Sequence, residues 1–292
     1  MRIMTLLLML VLGSPAIAAE HEADVSGDIS MQGVSDIQTE GTTIDELFSL
    51  YQPFGVNFAA YEPVYFLVGT NPEESKFQIS FKYQFFREDN YIAVNHPWVK
   101  GFNVGYTQTS FWDLKTASAP FKDTSYKPEV FYLSSNMNIR PDWMKVFIIN
   151  TGFRHESNGQ GEDMSRSTNS FYLRPIFAFY RENGRFGLIV TPRVRFYIKN
   201  SDVSNPDLPD YRGCFDLDVK FGKAGNFVIG ANLAFAKKGA SFQTDLTYPL
   251  NNYIFRDLNL FLHVQYVDAL AESLIDYRKR NRALRIGFAL IR

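Results

Sequence analysis

From Tyr61 onward the chain is a succession of runs in which apolar and polar residues alternate. In Phe77-Gln78-Ile79-Ser80-Phe81-Lys82-Tyr83-Gln84-Phe85 every odd position is apolar and every even one polar. Between Arg185 and Lys199, Phe186, Leu188, Val190, Val194, Phe196 and Ile198 share one face, and Arg193, Arg195 and Lys199 the other. The run Cys214–Phe221 sets Phe215, Leu217, Val219 and Phe221 against Asp216, Asp218 and Lys220. A period of two is the signature of a strand. Twelve such segments fall near 61–68, 77–87, 99–112, 127–137, 144–157, 169–181, 185–199, 213–221, 226–235, 241–249, 257–266 and 282–291. Tight turns at Arg140-Pro141-Asp142, Glu182-Asn183-Gly184 and Gly222–Gly225 alternate with long stretches at 113–126, 158–168, 200–212 and 267–281. Short turns at one rim and long loops at the other belong to outer-membrane barrels. The pattern predicts an all-β fold, a twelve-stranded antiparallel transmembrane β-barrel. Charges opposite the apolar row give it a polar interior.

Composition then refines the picture. Met1–Arg2, an apolar run from Leu6 to Leu12 and Ser14-Pro15-Ala16-Ile17-Ala18-Ala19 read as a secretory signal peptide over residues 1–19. A polar stretch without sustained period, 20–57, reads as a periplasmic segment ahead of a barrel domain at 58–292. The aromatic content is 16%, with 27 Phe and 16 Tyr, more rings than a soluble domain needs and suited to interfacial girdles. A soluble β-sandwich is the alternative, but it would bury its apolar face and has no use for strands this aromatic. One cysteine, Cys214, rules out an intrachain disulfide and reads as structural. A net charge of −1 gives no sign of nucleic-acid binding. The inward charges Lys82, Arg193, Arg195, Lys199, Asp216, Asp218 and Lys220 carry both signs, which favours a paired plug over an open channel.

Candidate chemistry lies in Gly152-Phe153-Arg154-His155-Glu156-Ser157-Asn158-Gly159, followed by Ser165-Arg166-Ser167-Thr168-Asn169. Phe147, Ile149, Thr151 and Phe153 form the outward row of the fifth segment, and His155 and Ser157 continue it. Asn169 has the parity of Phe171 and Leu173, the outward row of the sixth. A hairpin brings the three together on the outer wall, at a depth near the headgroup boundary where polar groups cost roughly 0–1 kcal/mol. Ser157 is then a nucleophile, His155 its base and Asn169 an orienter of the imidazole. The Gly159 amide is a candidate oxyanion donor, with a cation near the loop to assist. Turn chemistry at a hairpin tip explains Ser-Asn-Gly equally well, as in a non-enzymatic barrel serving as channel or anchor.

His155-x-Ser157-Asn158-Gly159 with Ser165-Arg166-Ser167-x-Asn169 resembles the active-site signature of the outer-membrane phospholipase A family. The likeness extends to Gly105-Tyr106-Thr107-Gln108 with Trp112, to Pro120-Phe121, to Tyr126-x-Pro128 and to Glu272-Ser273-Leu274-Ile275-Asp276-Tyr277. It covers the chain from about Tyr51 to the end. The resemblance implies hydrolysis of both acyl esters of phospholipids and of lysophospholipids (A1, A2 and lysophospholipase activity) by a calcium-bound homodimer in the outer membrane, with the site facing the outer leaflet. It assigns Ser157, His155 and Asn169 the roles above and puts the Gly159 amide in the oxyanion hole beside water held by calcium. It takes the Ca2+ ligands to be the carbonyl of Gln160, the hydroxyl of Ser165 and, from the partner, Ser118. Gln160 stands where the family has Arg. Gln108, in the outward row of the third segment, is expected at the dimer contact because an amide facing lipid needs hydrogen-bond partners.

His96 and His263 are isolated and read as packed residues rather than ligands. Asp202, Asp207 and Asp210 lack calcium-loop spacing and read as a solvated loop.

Overall fold

Side chains alternate across a pleated strand, so a sheet can carry one apolar and one polar face; in a bilayer its open edges must pair with each other, and the two faces then meet lipid and lumen. The computed structural model describes residues 54–180, 186–198, 204–252 and 260–292. The predicted leader, residues 20–53, the Glu182-Asn183-Gly184 turn, Lys199 and Asp202 lie outside the described residues. The strands are β1 (Phe58–Ala59), β2 (Val64–Gly69), β3 (Ser75–Gln84), β4 (Phe102–Trp112), β5 (Phe121–Leu133), β6 (Val146–Ser157), β7 (Ser167–Tyr180), β8 (Gly187–Ile198), β9 (Phe215–Gly222), β10 (Val228–Ala236), β11 (Gly239–Pro249), β12 (Phe261–Leu270) and β13 (Arg280–Ile291). From β2 onward each pairs antiparallel with its successor, and β13 pairs with β2 to close a twelve-stranded barrel. β1 is a two-residue piece beside Lys82 and Tyr83 of β3. No helix among the described residues is long and apolar enough to cross a membrane; crossing falls to the strands.

The predicted rows take their places. Phe171, Leu173, Phe196, Ile198, Leu284, Ile286 and Phe288 are exposed on the outer wall. A closed barrel with such a wall is an outer-membrane protein. Inside, Arg193 and Arg195 share Asp216 at 3.0 and 2.6 Å, and Arg154 meets Glu129 at 2.7 Å. Arg285, fully buried, bonds Glu272 at 2.7 Å, with Lys76 on the same carboxylate at 3.1 Å. Burial pushes the Glu272 carboxyl up, but Lys76 and Arg285 outweigh it and hold it at about 2. A cavity of about 1150 Å³ remains between these pairs.

Three boundaries differ from expectation. β5 begins at Phe121, because the polar run Asp123-Thr124-Ser125 is buried and bonded rather than looped: Thr124 Oγ1 meets Ser110 Oγ at 3.0 Å. Residues 134–145 form a longer connection than a tight turn, held by Asn136 against Lys145 and Phe147. β12 runs on to Leu270, its Asp268 paired with Arg280 and Arg282. Cys214, expected to be structural, is an exposed thiol.

At the rim opposite the termini the loops pack on one another. Leu208, Ala271, Leu274 and Tyr277 form a buried cluster, with Leu208 opening helix α1 (Leu208–Arg212). Asp123 Oδ2 of β5 accepts from the amides of Leu274 and Ile275 at 2.8 and 3.0 Å. Asp207 accepts from Tyr277 and Arg278, and the Arg278 guanidinium holds its carboxyl below the usual range.

Candidate active site

β6 starts at Val146, so His155 is its tenth residue. At about 3.4 Å per residue and a tilt near 40°, that is roughly 24 Å of height, the edge of an apolar band about 25 Å tall. The register pairs His155 with Asn169 and Ser157 with Ser167. His155 Nδ1 lies 2.8 Å from Asn169 Oδ1. An amide oxygen only accepts, so Nδ1 carries the proton and Nε2 keeps its lone pair. Ser157 continues the row about 6.8 Å along the strand, within side-chain reach of that ring. Among the described residues its hydroxyl makes no hydrogen bond.

The chain then turns through Asn158 and Gly159. Asn158 is buried, donates to Met164 O at 2.9 Å and accepts from the amides of Arg166 and Gln160 at 2.9 and 3.3 Å. Three bonds from one side chain thereby set the 158–166 loop. Gly159 has φ +68°, and a Cβ there would meet the Tyr126 ring at 2.9 Å. Among the described residues its N–H has no acceptor, so it stands free beside Ser157.

A family model for phospholipase A1 matches residues 56–290. The chain belongs to the phospholipase A1 family. Among its relatives, the phospholipase A1 of Salmonella typhimurium is 28% identical over 263 residues, covering 84% of this chain and 83% of that one. A putative phospholipase A1 of Neisseria meningitidis serogroup B is 30% identical over 220 residues, covering 73% and 53%. The fold is similar to that of the outer membrane phospholipase A from Escherichia coli, with a TM-score of 0.65 at 24% identity over 81% of this chain and 92% of that one. It is equally similar to a Salmonella typhi outer membrane phospholipase, a dimer with bound calcium (TM-score 0.65, 23% identity, 81% and 93% covered). This phospholipase A1 family member is therefore an ester hydrolase acting on phospholipids.

The other candidate residues sit as follows in this phospholipase. Gln160 is exposed and Ser165 half-buried in the one loop, and neither the Gln160 carbonyl nor the Ser165 hydroxyl is hydrogen-bonded among the described residues. Ser118 lies on another loop, exposed, with φ +70°; that loop is held by Trp112 Nε1 on Ala119 O at 2.7 Å and by Asp113 on Thr116. Within one chain the Ser118 side chain has no bond to the other two. Gln108 accepts from Tyr106 at 2.9 Å and donates to Ser110 at 3.2 Å. Its amide is thus engaged inside its own strand, and a need for bonds across a twofold axis no longer follows.

Sequence reasoning placed Asn158 and Tyr126 only as motif residues and gave neither them nor Glu156 a role. Glu156 had a readable signal: lying between two outward residues, it must point inward. Replacing Asn169 by Ala removes one hydrogen bond to a group that becomes charged, about 1.5–3 kcal/mol. Asn169→Ala is expected to lower kcat by roughly 10- to 100-fold, with a folded barrel. Micelle kinetics check this; a loss as deep as that of Ser157→Ala would mean Asn169 does more than orient.

Proposed function

We propose that this enzyme cleaves both acyl esters of phospholipids, and those of lysophospholipids, by a Ser157–His155–Asn169 mechanism at the outer leaflet. The observation that carries the proposal is the 2.8 Å His155–Asn169 bond on the outer wall, with Ser157 in the same row and a free Gly159 amide next to it. His155 Nε2 takes the Ser157 proton as Oγ attacks the ester carbonyl, and Asn169 holds the ring in the tautomer this requires. The Gly159 N–H donates to the oxygen on which charge develops. His155 then returns the proton to the leaving glycerol oxygen, and water repeats the cycle on the acyl-enzyme. The site lies at the strand ends opposite the termini, which with periplasmic termini is the cell exterior.

The donor set suits calcium. The Gln160 carbonyl and Ser165 hydroxyl are hard, unbonded oxygens on a loop fixed by Asn158, and Ca2+ takes oxygen ligands. Ser118 from a second copy would add another, which makes the bound form a homodimer. Bound there, the ion supplies positive charge to the developing oxyanion. Without carboxylates among these ligands the affinity belongs to the weak end of the calcium range, on the order of 10⁻⁴–10⁻³ M.

A micelle assay on sn-1- and sn-2-labelled phospholipid and on lysophospholipid tests the reading. All three substrates should be cleaved, chelator should stop cleavage and millimolar calcium restore it. Ser118→Ala should raise the calcium needed for half-activity, by about fivefold if one ligand bond near 1 kcal/mol is lost. Full activity in chelator would defeat the calcium assignment.

A further inference from the structure

Directly behind His155 and Ser157 lies Glu156, facing the lumen and buried. Its carboxylate accepts from Ser125 Oγ at 2.8 Å, and from Arg212 Nη1 at 2.6 Å and Nη2 at 3.4 Å. Arg212 ends helix α1 in the connection before β9, and it also donates to Ala271 O at 3.4 Å. The same loop holds the opposite strand: Asn205, buried, accepts from the amide of Ser167, the cross-strand neighbour of Ser157, at 3.0 Å. Leu208 seats this loop in the rim cluster, and Asp123 ties that cluster back to β5. The hairpin that presents the candidate nucleophile and base is gripped from inside at two points.

The grip falls where the ladder between β5 and β6 is interrupted. β5 and β6 pair at Tyr126↔Ser157 and again at Glu129↔Arg154, with no backbone pair in between. Pro128 occupies that gap and has no N–H to give. On its β5 side, then, the stretch of β6 that carries His155 and Glu156 lacks ladder bonds. Peptide planes are rigid and side chains alternate, so a shift of Glu156 inward or outward displaces His155 and Ser157 with it.

We infer that Arg212 is a positioning residue of the esterase: through its ion pair with Glu156 it fixes, from the lumen, the outer-wall row that carries His155 and Ser157. The inference rests on the Ser157–His155 reading proposed above. Arg212 does not touch substrate; it acts by supplying side-chain bonds where the backbone ladder is interrupted. The guanidinium fork matters because it holds both carboxylate oxygens, which a point charge does not.

The test compares Arg212→Ala, Arg212→Lys and Glu156→Gln with Arg174→Ala, which breaks a different lumen pair, Arg174–Glu62. Each variant is checked for the heat-modifiable folded barrel and its melting midpoint. Then kcat, KM and the rate at which a fluorophosphonate probe labels Ser157 are measured per folded enzyme. Misplacing reacting groups by about 1 Å costs on the order of 100-fold. Arg212→Ala and Glu156→Gln are therefore expected to lower kcat and labelling rate together by 10- to 100-fold, with KM within about twofold. Arg212→Lys should recover part of the loss. Arg174→Ala should lower the melting midpoint and leave kcat unchanged. A folded Arg212→Ala or Glu156→Gln enzyme with wild-type kcat and labelling rate overturns the inference. So does equal loss of kcat in Arg174→Ala, since the pair would then be one stabilising contact among others. Wild-type enzyme labelled at a residue other than Ser157 overturns the catalytic reading beneath it, and that failure is visible before any Arg212 variant is made.

Discussion

Ser157→Ala and His155→Ala are each expected to lower phospholipid hydrolysis by about 10⁴-fold or more, while the barrel stays folded. Nucleophile and base act as a unit, so removing either removes the covalent route and the double variant should lose no more than the singles. Folding is spared for structural reasons. The Ser157 hydroxyl is bonded to nothing among the described residues, and His155 loses a single bond, to Asn169, at a position near the headgroup boundary. Both changes also remove polar groups from a wall that otherwise faces lipid. The measurement is release of labelled fatty acid in detergent micelles, with the heat-modifiable shift in gel mobility as the folding control. More than trace activity in folded Ser157→Ala would rule out the nucleophile assigned here.

The placement of the candidate residues in one outward row was legible because strand parity is a rigid rule. Phe147 to Phe153 marks one row as apolar and outward, and His155 and Ser157 inherit that direction. A hairpin does the same for Asn169, and the register pairs it with His155 directly. What parity cannot show is contact across the lumen. Glu156 had to point inward, but nothing in its neighbourhood names Arg212, 56 residues away. Glu129 meets Arg154 of the adjacent strand and Tyr172 one strand further on, contacts that need the register between strands and not parity alone. β5 was read six positions short because Lys122–Ser125 is polar on both faces. Its inward Asp123 holds a loop, and its outward Thr124 belongs to a hydrogen-bonded patch with Ser110 and Gln108. The pattern failed where polar residues replace the apolar row, close to the functional rim.

That replacement has a physical basis. Gln108, Ser110 and Thr124 are polar groups on a wall facing hydrocarbon, where an unsatisfied amide or hydroxyl costs roughly 2–7 kcal/mol. They tolerate the position by bonding one another and Tyr106. Tyr126 continues the patch to Ser157, its cross-strand partner. The outer wall near the site is therefore polar without being unsatisfied, which allows an ester group to approach the strand edge from the bilayer.

Gly159→Ala is expected to lower kcat by about 10²–10³-fold, the cost of losing one oxyanion donor. Two independent features of Gly159 forbid a side chain there. Its φ of +68° is a conformation that costs an L-residue roughly 1–2 kcal/mol. A methyl group would also meet the Tyr126 ring at 2.9 Å. The backbone relieves both only by rotating, and rotation turns away the N–H that stands free beside Ser157. Neither Ser157 nor His155 is altered, so ground-state binding and KM should change little while kcat and fluorophosphonate labelling fall together. Gly161→Ala is the matched control. Its φ is −97°, nothing lies within 4 Å of the added carbon, and its carbonyl still accepts from Met164. Activity there should remain at the wild-type level. If Gly159→Ala turns over phospholipid as fast as wild type, the oxyanion is held by another donor and the 158–160 turn is structural.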